Sequence, residues 1–295
     1  MTKIGFIGLG IMGGPMATNL LKAGFDVVGF DVVPAALERL AAAGGTAAVS
    51  AGQAAAEADV VITMLPNHPH VEAVALGDGG VLDSAKPGTL YVDMSSIRPE
   101  TARRLAAVGA ERGIRVLDAP VSGGEKGAID GVLSIMVGGA EQDFAAAQPI
   151  FTVLGKTVVH VGPAGAGQTV KAANQLVVGG TYALVAEAVV LLEASGVDAE
   201  LGLDVLAGGL AGSRILELKR KSMVAREFQP GFRIDLHHKD MGIILDAARD
   251  AEVALPVGNL VAALIASARA QGYGALDHSA LLKVAEGLSG KGAAA

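Results

Sequence analysis

The chain contains no cysteine, and its charged and aromatic residues are few. Without Cys it cannot form disulfides, use a thiolate nucleophile or build a structural metal site from thiolates. The absence of Cys is compatible with a cytoplasmic location, which we expect for this protein. The formal net charge of −7 disfavours general nucleic-acid binding, because that affinity comes from neutralising phosphates. We therefore expect no nucleic-acid partner.

Apolar residues make up 51% of the 295 residues, and only 18% are charged. This mixture can bury a sizeable core and argues against disorder. Aromatic residues are only 3%, whereas Ala and Gly are abundant. Because small side chains let helices approach closely, we expect a helix-rich protein. The apolar run over residues 176–192 is interrupted by Thr181, Tyr182 and Glu187. It is therefore interpreted as a buried helix rather than a membrane span.

The first half of the chain alternates short apolar runs with helical patterns. Strands are predicted at residues 4–7, 26–30, 60–64, 90–93, 115–118 and 134–137. Pro34 suits the first turn of a helix between two of these strands. Strands that alternate with helices predict parallel pairing and a doubly wound, Rossmann-type α/β sheet.

The pattern changes after Gly162, where a turn leads into one long helical stretch over residues 167–195. Further helices are predicted at residues 198–207, 214–225, 237–251 and 256–271. No strand is predicted in this half. We expect a Rossmann-type domain over residues 1–162, then an all-α domain over residues 163–295 for substrate binding and oligomerisation. The long helix would join them.

A glycine loop, Gly8-Leu9-Gly10-Ile11-Met12-Gly13, follows the first predicted strand and opens the first predicted helix. A glycine motif of this kind predicts dinucleotide binding only when it follows a strand and opens a helix, as it does here. Gly8 permits a tight turn, Gly10 lets the backbone approach a pyrophosphate, and Gly13 lets the helix pack on the strand. Backbone N–H groups at the helix start favour phosphate charge. The loop predicts a dinucleotide site, against the alternative of a glycine-rich turn without a ligand.

Asp31 ends the second predicted strand, where an acid can accept hydrogen bonds from the ribose hydroxyls of NAD. It would repel the 2′-phosphate of NADP, and the residues after it offer no Arg. We therefore expect NAD rather than NADP, unless Asp31 is an ordinary turn acid beside Pro34. Met64-Leu65-Pro66 and Ser95-Ser96 lie at the ends of later predicted strands. Since ligands of such sheets bind at the carboxyl edge, these residues are predicted to contact the cofactor as well.

Four segments of the chain resemble motifs of the β-hydroxyacid dehydrogenases. They are residues 5–24 around the glycine loop, 118–124, 165–175 and 231–240. They follow the family's order and span nearly the full length. The resemblance implies reversible reduction of a small 3-oxo acid with NADH, and a small carboxylate as the substrate. Family members are typically dimers or tetramers, which implies a homodimer or homotetramer here.

Within the family, shorter segments are similar to the branch that reduces 2-hydroxy-3-oxopropionate (tartronate semialdehyde) to glycerate. These segments are residues 62–67, 124–131, 208–213 and 277–280. The similarity implies a place in glyoxylate metabolism. Related enzymes of the family, including 3-hydroxyisobutyrate dehydrogenases, share several of these segments. They stay open as alternatives.

The resemblance implies that Lys171 is the general acid and base. Its ammonium would stabilise the alkoxide that forms on reduction and then donate a proton, helped by a pKa lowered through burial or nearby positive charge. As a helix lysine it could instead be solvated. Ser122, Gly123 and Gly124 are implied to bind the substrate carboxylate through a hydroxyl and backbone N–H groups. The alternative is a glycine-rich loop without that role.

Asn174 and Gln175 follow Lys171 at i+3 and i+4, hence on the same helix face. They are predicted to bind the substrate or orient the lysine amine, unless they are packing amides. Phe232 and Lys239 lie in the last motif. Phe232 is predicted to pack near the nicotinamide and Lys239 to reach the cofactor or substrate. Alternatively, Phe232 is a ring of the hydrophobic core and Lys239 is a charge on the surface of a helix.

Other functional classes find less support in the sequence. His68 and His70 are two apart, and His237 and His238 are adjacent, so neither spacing puts two imidazoles on one helix face. We expect no metal. An NAD-binding regulatory or scaffold protein on this fold would have its catalytic lysine replaced, and imine reductases on this fold generally lack it. The presence of Lys171 argues against both alternatives.

Overall fold

A computed structural model describes residues 2–291 of the chain. It divides into two compact units, the first ending at Lys171 and the second beginning at Ala172. All the named strands belong to the first unit, and the named elements of the second are helical. The predicted fold class, a Rossmann-type sheet domain followed by an all-helical domain, is therefore confirmed.

A nine-stranded sheet forms the centre of the first unit, and six of its strands pair in parallel in the order β3-β2-β1-β4-β5-β6. The strands are β1 (Lys3–Ile7), β2 (Asp26–Phe30), β3 (Thr46–Ala47), β4 (Val60–Thr63), β5 (Leu90–Asp93), β6 (Arg115–Asp118), β7 (Val121–Ser122), β8 (Leu133–Gly138) and β9 (Gly155–Gly162). Every residue of β4 and β5 is buried, as expected for parallel strands covered on both faces. The six predicted strands are confirmed.

One strand runs against the predicted direction. β8 is antiparallel to β6 and β7, whereas the alternation of strands and helices predicted parallel pairing. Asp118 pairs with Gly138, and Ser122 pairs with Ser134 in the same register. β6 and β7 therefore act as one strand interrupted at Pro120, which has no N–H to donate to the ladder. The half-exposed β9, which no pattern predicted, pairs with β8 in parallel.

The helices of the first unit cover the sheet. They are α1 (Gly13–Lys22), α2 (Pro34–Ala42), α3 (Ala51–Ala56), α4 (His68–Leu76), α5 (Val81–Ser84), α6 (Pro99–Glu111), α7 (Gly124–Asp130) and α8 (Glu141–Leu154). Ser50 caps α3 and Asn67 caps α4 through side-chain oxygens, and Pro34 opens α2. Ile4 and Phe6 of β1 pack with Met16 and Leu20 of α1 in one buried core, whereas Ile7 belongs to a second core.

The helix α9 (Ala166–Ala194) begins in the first unit and continues through the second. Within residues 2–291 it is the one helix long and apolar enough to cross a membrane by length and composition, with a mean hydropathy of 1.8 over its most apolar window. Tyr182, Ala186 and Val189 are buried in the core of the second unit. This packing agrees with the predicted buried helix, which the sequence placed at residues 167–195.

In the part of the second unit that the structure describes, five further α-helices pack with α9. They are α10 (Ala199–Gly208), α11 (Arg214–Val224), α12 (Ile234–Asp250), α13 (Pro256–Ala268) and α14 (Leu281–Leu288). The first three begin or end within a few residues of the predicted helices. The fourth stops at Ala268, because a π-helical turn follows in which Gly272 takes a positive φ of 85°. α14 was not among the predicted helices.

Candidate active site

The predicted cofactor-binding segments of the first unit meet at one edge of the sheet. The strands β2, β1, β4 and β5 are parallel neighbours, so the residues that follow them share the carboxyl edge. These residues are Asp31, the glycine loop at 8–13, and the segments 64–66 and 94–96. The sheet therefore brings together side chains that lie far apart in the sequence.

The glycine loop fits a dinucleotide. Gly8 has a φ of +94°, and a Cβ on Gly13 would lie 1.9 Å from the Gly8 carbonyl oxygen, so both positions require glycine. Apart from its two chain neighbours, a Cβ on Gly10 would meet no atom of the described residues within 4 Å, which leaves space where a pyrophosphate can approach the backbone. No side chain caps the start of α1 at Met12, so the positive end of its dipole can act on an anion. Leu9 is buried, whereas Ile11 is exposed.

Asp31 is tied to the glycine loop. Its Oδ2 accepts a hydrogen bond of 2.6 Å from the Leu9 N–H, and its Oδ1 accepts one of 2.8 Å from the Val33 N–H. The half-buried carboxylate therefore fixes the loop beside the turn that follows β2. The bond to Leu9 was not predicted from the sequence, whereas the bond to Val33 is the contact expected of a turn acid beside Pro34.

Asp93 at the end of β5 is a buried acid that the sequence analysis missed. Its Oδ1 accepts hydrogen bonds of 2.7 Å from the hydroxyls of Thr63 and Ser95. Burial raises the pKa of Asp93 to about 6, although these hydroxyls oppose the shift. The Ser95 hydroxyl accepts a bond of 2.9 Å from the Leu65 N–H. The segments after β4 and β5 are thus joined by side-chain hydrogen bonds beneath the predicted cofactor edge.

The predicted carboxylate-binding turn lies between β7 and α7. Ser122 ends β7, and Gly123 and Gly124 lead into the helix with φ values of +137° and +63°. Side chains other than glycine rarely adopt these conformations. A Cβ on Gly123 would also lie 3.1 Å from the Leu133 side chain. The conformation of the turn therefore favours glycine at both positions.

Lys171 lies near the start of α9 and is only 7% exposed. Burial of an amine with so little exposure is costly unless the group is paired or functional. The simple solvated-lysine alternative is therefore excluded. Asn174 and Gln175 follow on the same helix and belong to the second unit.

Three of the four predicted site residues of the second unit are connected through one buried acid, Asp240. Asn174 Nδ2 donates a hydrogen bond of 2.9 Å to Gln175 Oε1. Gln175 Nε2 donates one of 2.5 Å to Asp240 Oδ2, and Lys239 Nζ lies 2.9 Å from Asp240 Oδ1. This chain of contacts positions Asn174, Gln175 and Lys239 relative to one another. No role was predicted for Asp240, because Gln175, which donates to it, lies 65 residues earlier in the chain.

Phe232 lies on a turn held by another buried acid, Asp277. The Asp277 carboxylate accepts hydrogen bonds of 2.8 Å from Gly231 N and 3.2 Å from Phe232 N, and it pairs with Lys219 Nζ at 3.0 Å. Burial alone would raise the pKa of Asp277, but the charge of His278 and the bond with Lys219 hold it below its usual value. The turn is therefore fixed by charge-assisted bonds.

Two histidines of the second unit form a buried pair. His237 Nε2 donates a hydrogen bond of 3.1 Å to the Gln175 carbonyl oxygen. His237 Nδ1 and His278 Nδ1 are 3.0 Å apart. Phe232 contacts both rings, with centroids 5.9 Å and 5.4 Å away. Among the described residues, no group of three or more His, Asp or Glu side chains could hold a metal ion.

Comparisons with known proteins cover both units. The family model described as the NAD binding domain of 6-phosphogluconate dehydrogenase matches residues 3–162. The model described as NAD-binding of NADP-dependent 3-hydroxyisobutyrate dehydrogenase matches residues 165–285. The first match contains the glycine loop, and the descriptions of both models name dinucleotide binding.

Individual relatives match over nearly their whole length. The chain is 44% identical to 2-(hydroxymethyl)glutarate dehydrogenase of Eubacterium barkeri, over 98% of this chain and 96% of that protein. It is 42% identical to 2-hydroxy-3-oxopropionate reductase of Escherichia coli, over 96% of this chain and 97% of that protein. A solved structure of Mycobacterium tuberculosis 3-hydroxyisobutyrate dehydrogenase with L-serine superposes with a TM-score of 0.89 at 39% identity, over 96% and 99%. With this extent of identity, and with the glycine loop and the buried lysine in place, the chain belongs to the β-hydroxyacid dehydrogenase family and is an NAD(P)-dependent dehydrogenase.

Proposed function

We propose that the protein catalyses the reversible NADH-linked reduction of a small 3-oxo acid, with 2-hydroxy-3-oxopropionate reduced to glycerate as the first candidate reaction. The observation that carries the proposal is the burial of Lys171 near the start of α9. An amine that is largely removed from water can have its pKa lowered towards neutrality, which suits it to proton transfer. The relative from Escherichia coli, whose name gives this substrate, supports the first candidate.

Each residue then has a chemical task. The cofactor, when bound, supplies the hydride for the aldehyde carbon. The developing alkoxide receives a proton from Lys171 Nζ, which leaves the neutral amine, and the amine takes the proton back in the oxidative direction. Ser122 and the backbone N–H groups of Gly123 and Gly124 bind the substrate carboxylate. Asn174 orients the substrate or the amine, while Gln175 and Asp240 hold Asn174 in place.

Purified protein with NADH should distinguish the candidate substrates. The panel is 2-hydroxy-3-oxopropionate, methylmalonate semialdehyde and 2-formylglutarate, each followed by the loss of NADH absorbance. We expect the highest kcat/KM with 2-hydroxy-3-oxopropionate. Because one methyl group changes transition-state binding by only about 1–3 kcal/mol, the comparison must use kcat/KM rather than the presence of activity. Folded protein that turns over none of these small oxo acids contradicts the enzyme proposal.

A second candidate substrate is the oxidation product of 2-(hydroxymethyl)glutarate. The relative from Eubacterium barkeri that bears this name has 44% identity to the chain. This substrate carries a second carboxylate, so it requires a further cation or N–H donor beyond the turn at Ser122. A kcat/KM for 2-formylglutarate above that for 2-hydroxy-3-oxopropionate would favour this candidate.

We also propose that NAD is preferred over NADP. The support is the carboxylate of Asp31, which lies at the end of β2 beside the glycine loop. A negative charge at this position repels the 2′-phosphate and accepts hydrogen bonds from the ribose hydroxyls.

Asp31→Asn is the direct test of cofactor choice. Asn keeps an oxygen that can accept the bond from Leu9 N–H, so the loop stays in place while the charge is removed. We expect the ratio of kcat/KM for NADH to that for NADPH to fall about tenfold, which corresponds to 1.4 kcal/mol. Asp26→Asn, an exposed acid at the other end of β2, is the matched control and should leave the ratio unchanged. An unchanged ratio in Asp31→Asn removes that residue from cofactor selection.

We further propose a homodimer or homotetramer that forms through the second unit. Val177, Leu184 and Leu191 of α9 are each about two-thirds exposed. They recur at seven-residue spacing, so they form one apolar stripe along the helix. Such a stripe is stable in water when a second copy of the chain covers it.

Leu184→Gln should weaken this association. It places a polar amide in the middle of the apolar stripe, and a buried amide without a partner costs about 1–3 kcal/mol. Light scattering after size exclusion should show a lower mass than for the unchanged protein at the same low concentration. The control is Val49→Gln, which changes an exposed apolar residue of the first unit. If the unchanged protein runs as a monomer, the oligomer proposal is wrong.

A further inference from the structure

The start of α9 is capped by a carboxylate from a distant strand. Asp118 Oδ1 accepts a hydrogen bond of 2.7 Å from Gly165 N, and Asp118 Oδ2 accepts one of 2.9 Å from Gln168 N. Burial raises the pKa of Asp118 to about 6, against the effect of these N–H groups, so the side chain is ionised above that pH. A carboxylate at a helix N-terminus satisfies its N–H groups and its dipole.

Gln168 connects this helix start to the segment after β5. It is 1% exposed, and its Nε2 donates a hydrogen bond of 2.8 Å to the Ser95 carbonyl. Its Oε1 accepts one of 3.0 Å from the Ile97 N–H. Both ends of the amide are therefore used to bind the backbone on either side of Ser96.

The connection continues to the segment after β4, because the Ser95 hydroxyl accepts the bond from Leu65 N–H. A run of hydrogen bonds therefore leads from Leu65 through Ser95 and Gln168 to Asp118. Leu65 and Ser95 lie in segments predicted to contact the cofactor, whereas Lys171 lies one helical turn beyond Gln168.

Two glycines let the helix start press against the ends of the strands. A Cβ on Gly167 would lie 2.4 Å from the Met136 carbonyl oxygen and 2.7 Å from that of Asp118. A Cβ on Gly138 would lie 2.5 Å from Asp118 Oδ1. The first turn of α9 therefore has little freedom to shift or rotate while these contacts are made.

We propose that Gln168, held by Asp118, is a positioning residue for Lys171. It fixes the height and rotation of the first turn of α9 against the segments after β4 and β5. The proposal rests on the proposed role of Lys171 as proton donor. A displacement of about 1 Å of a reacting group can cost about 10²-fold in rate, so loss of these bonds should affect the chemical step.

Gln168→Met tests the proposal, since Met has a similar length and makes neither side-chain hydrogen bond. We expect kcat to fall about 10- to 100-fold. The Kd for NADH, measured by fluorescence, should change by less than about threefold. The primary isotope effect with deuterated NADH should rise, because chemistry becomes more rate-limiting. The matched control is Thr169→Val, an exposed neighbour whose hydroxyl bonds only the Gly165 carbonyl, and it should leave all three values unchanged.

A purely structural role for Gln168 would lower the melting temperature but leave kcat per folded molecule and the isotope effect unchanged. That result overturns the proposal. If Gln168→Met does not fold, Gln168→Glu replaces it, because Glu keeps the acceptor for Ile97 N–H and loses only the donor to Ser95. The same loss of kcat is expected for it. Lys171→Ala distinguishes the two hypotheses. If Lys171→Ala keeps its activity, the proposed role of Lys171 is wrong. If Lys171→Ala is inactive while the Gln168 variants keep their activity, only the positioning proposal is wrong.

Discussion

Replacing Lys171 with alanine should lower kcat for the preferred oxo acid by about 10³-fold, as expected for loss of a general acid. The Nζ atom of this buried side chain is the proposed source of the proton that the alkoxide needs. The glycine loop and Asp31 are unchanged in the variant, so NADH should bind with a Kd within about threefold of the original value. Steady-state kinetics and fluorescence titration with NADH measure the two quantities separately.

Lys171→Arg separates proton transfer from charge. Arg keeps the positive charge but does not lose a proton in proteins, so it cannot complete the catalytic cycle. We expect Lys171→Arg to be about as inactive as Lys171→Ala. The exposed Lys22 at the end of α1 supplies the control Lys22→Ala, which should be fully active. A rate near that of the original protein in Lys171→Ala means that another group donates the proton.

The parts of the site that are continuous in sequence could be predicted from sequence. The glycine loop joins β1 to α1, and its meaning depends only on a strand, a turn and a helix in direct succession. Asp31 is recognised by its distance from that loop. Lys171, Asn174 and Gln175 share a helix face because of helical periodicity. In each case the physical determinant is local, so a single sequence contains it.

The roles of the buried polar residues Gln168 and Asp118 could not be predicted in this way. Gln168 meets the Ser95 carbonyl across 73 residues, and Asp118 caps α9 across 47 to 50 residues. Hydrophobic periodicity indicates which face of an element is buried, but it does not indicate which polar side chain meets which backbone group. The parallel pairing predicted for β8 was wrong for a similar reason. It depends on the interruption at Pro120, which joins β6 and β7 along one neighbour, and no local pattern indicates that pairing.

The glycine loop allows cofactor binding and folding to be tested separately. Apart from its chain neighbours, a Cβ on Gly10 meets no atom of residues 2–291 within 4 Å, so Gly10→Ala should leave the melting temperature nearly unchanged. The same methyl group enters the space through which a pyrophosphate approaches the backbone. We expect the Kd for NADH to rise at least about tenfold, equivalent to 1.4 kcal/mol. Thermal unfolding without NADH and titration with NADH provide the two measurements.

Gly13→Ala should behave in the opposite way. Its Cβ would lie 1.9 Å from the Gly8 carbonyl oxygen and 3.0 Å from the Phe6 ring, so the turn between β1 and α1 must shift. Overpacking of this kind costs about 1–3 kcal/mol of folding free energy, and the melting temperature should fall even without NADH. Gly287→Ala in α14, where a Cβ meets nothing within 4 Å, controls for the substitution itself. If Gly10→Ala binds NADH as tightly as the original protein, the pyrophosphate does not approach this backbone, and the cofactor lies elsewhere along the edge of the sheet.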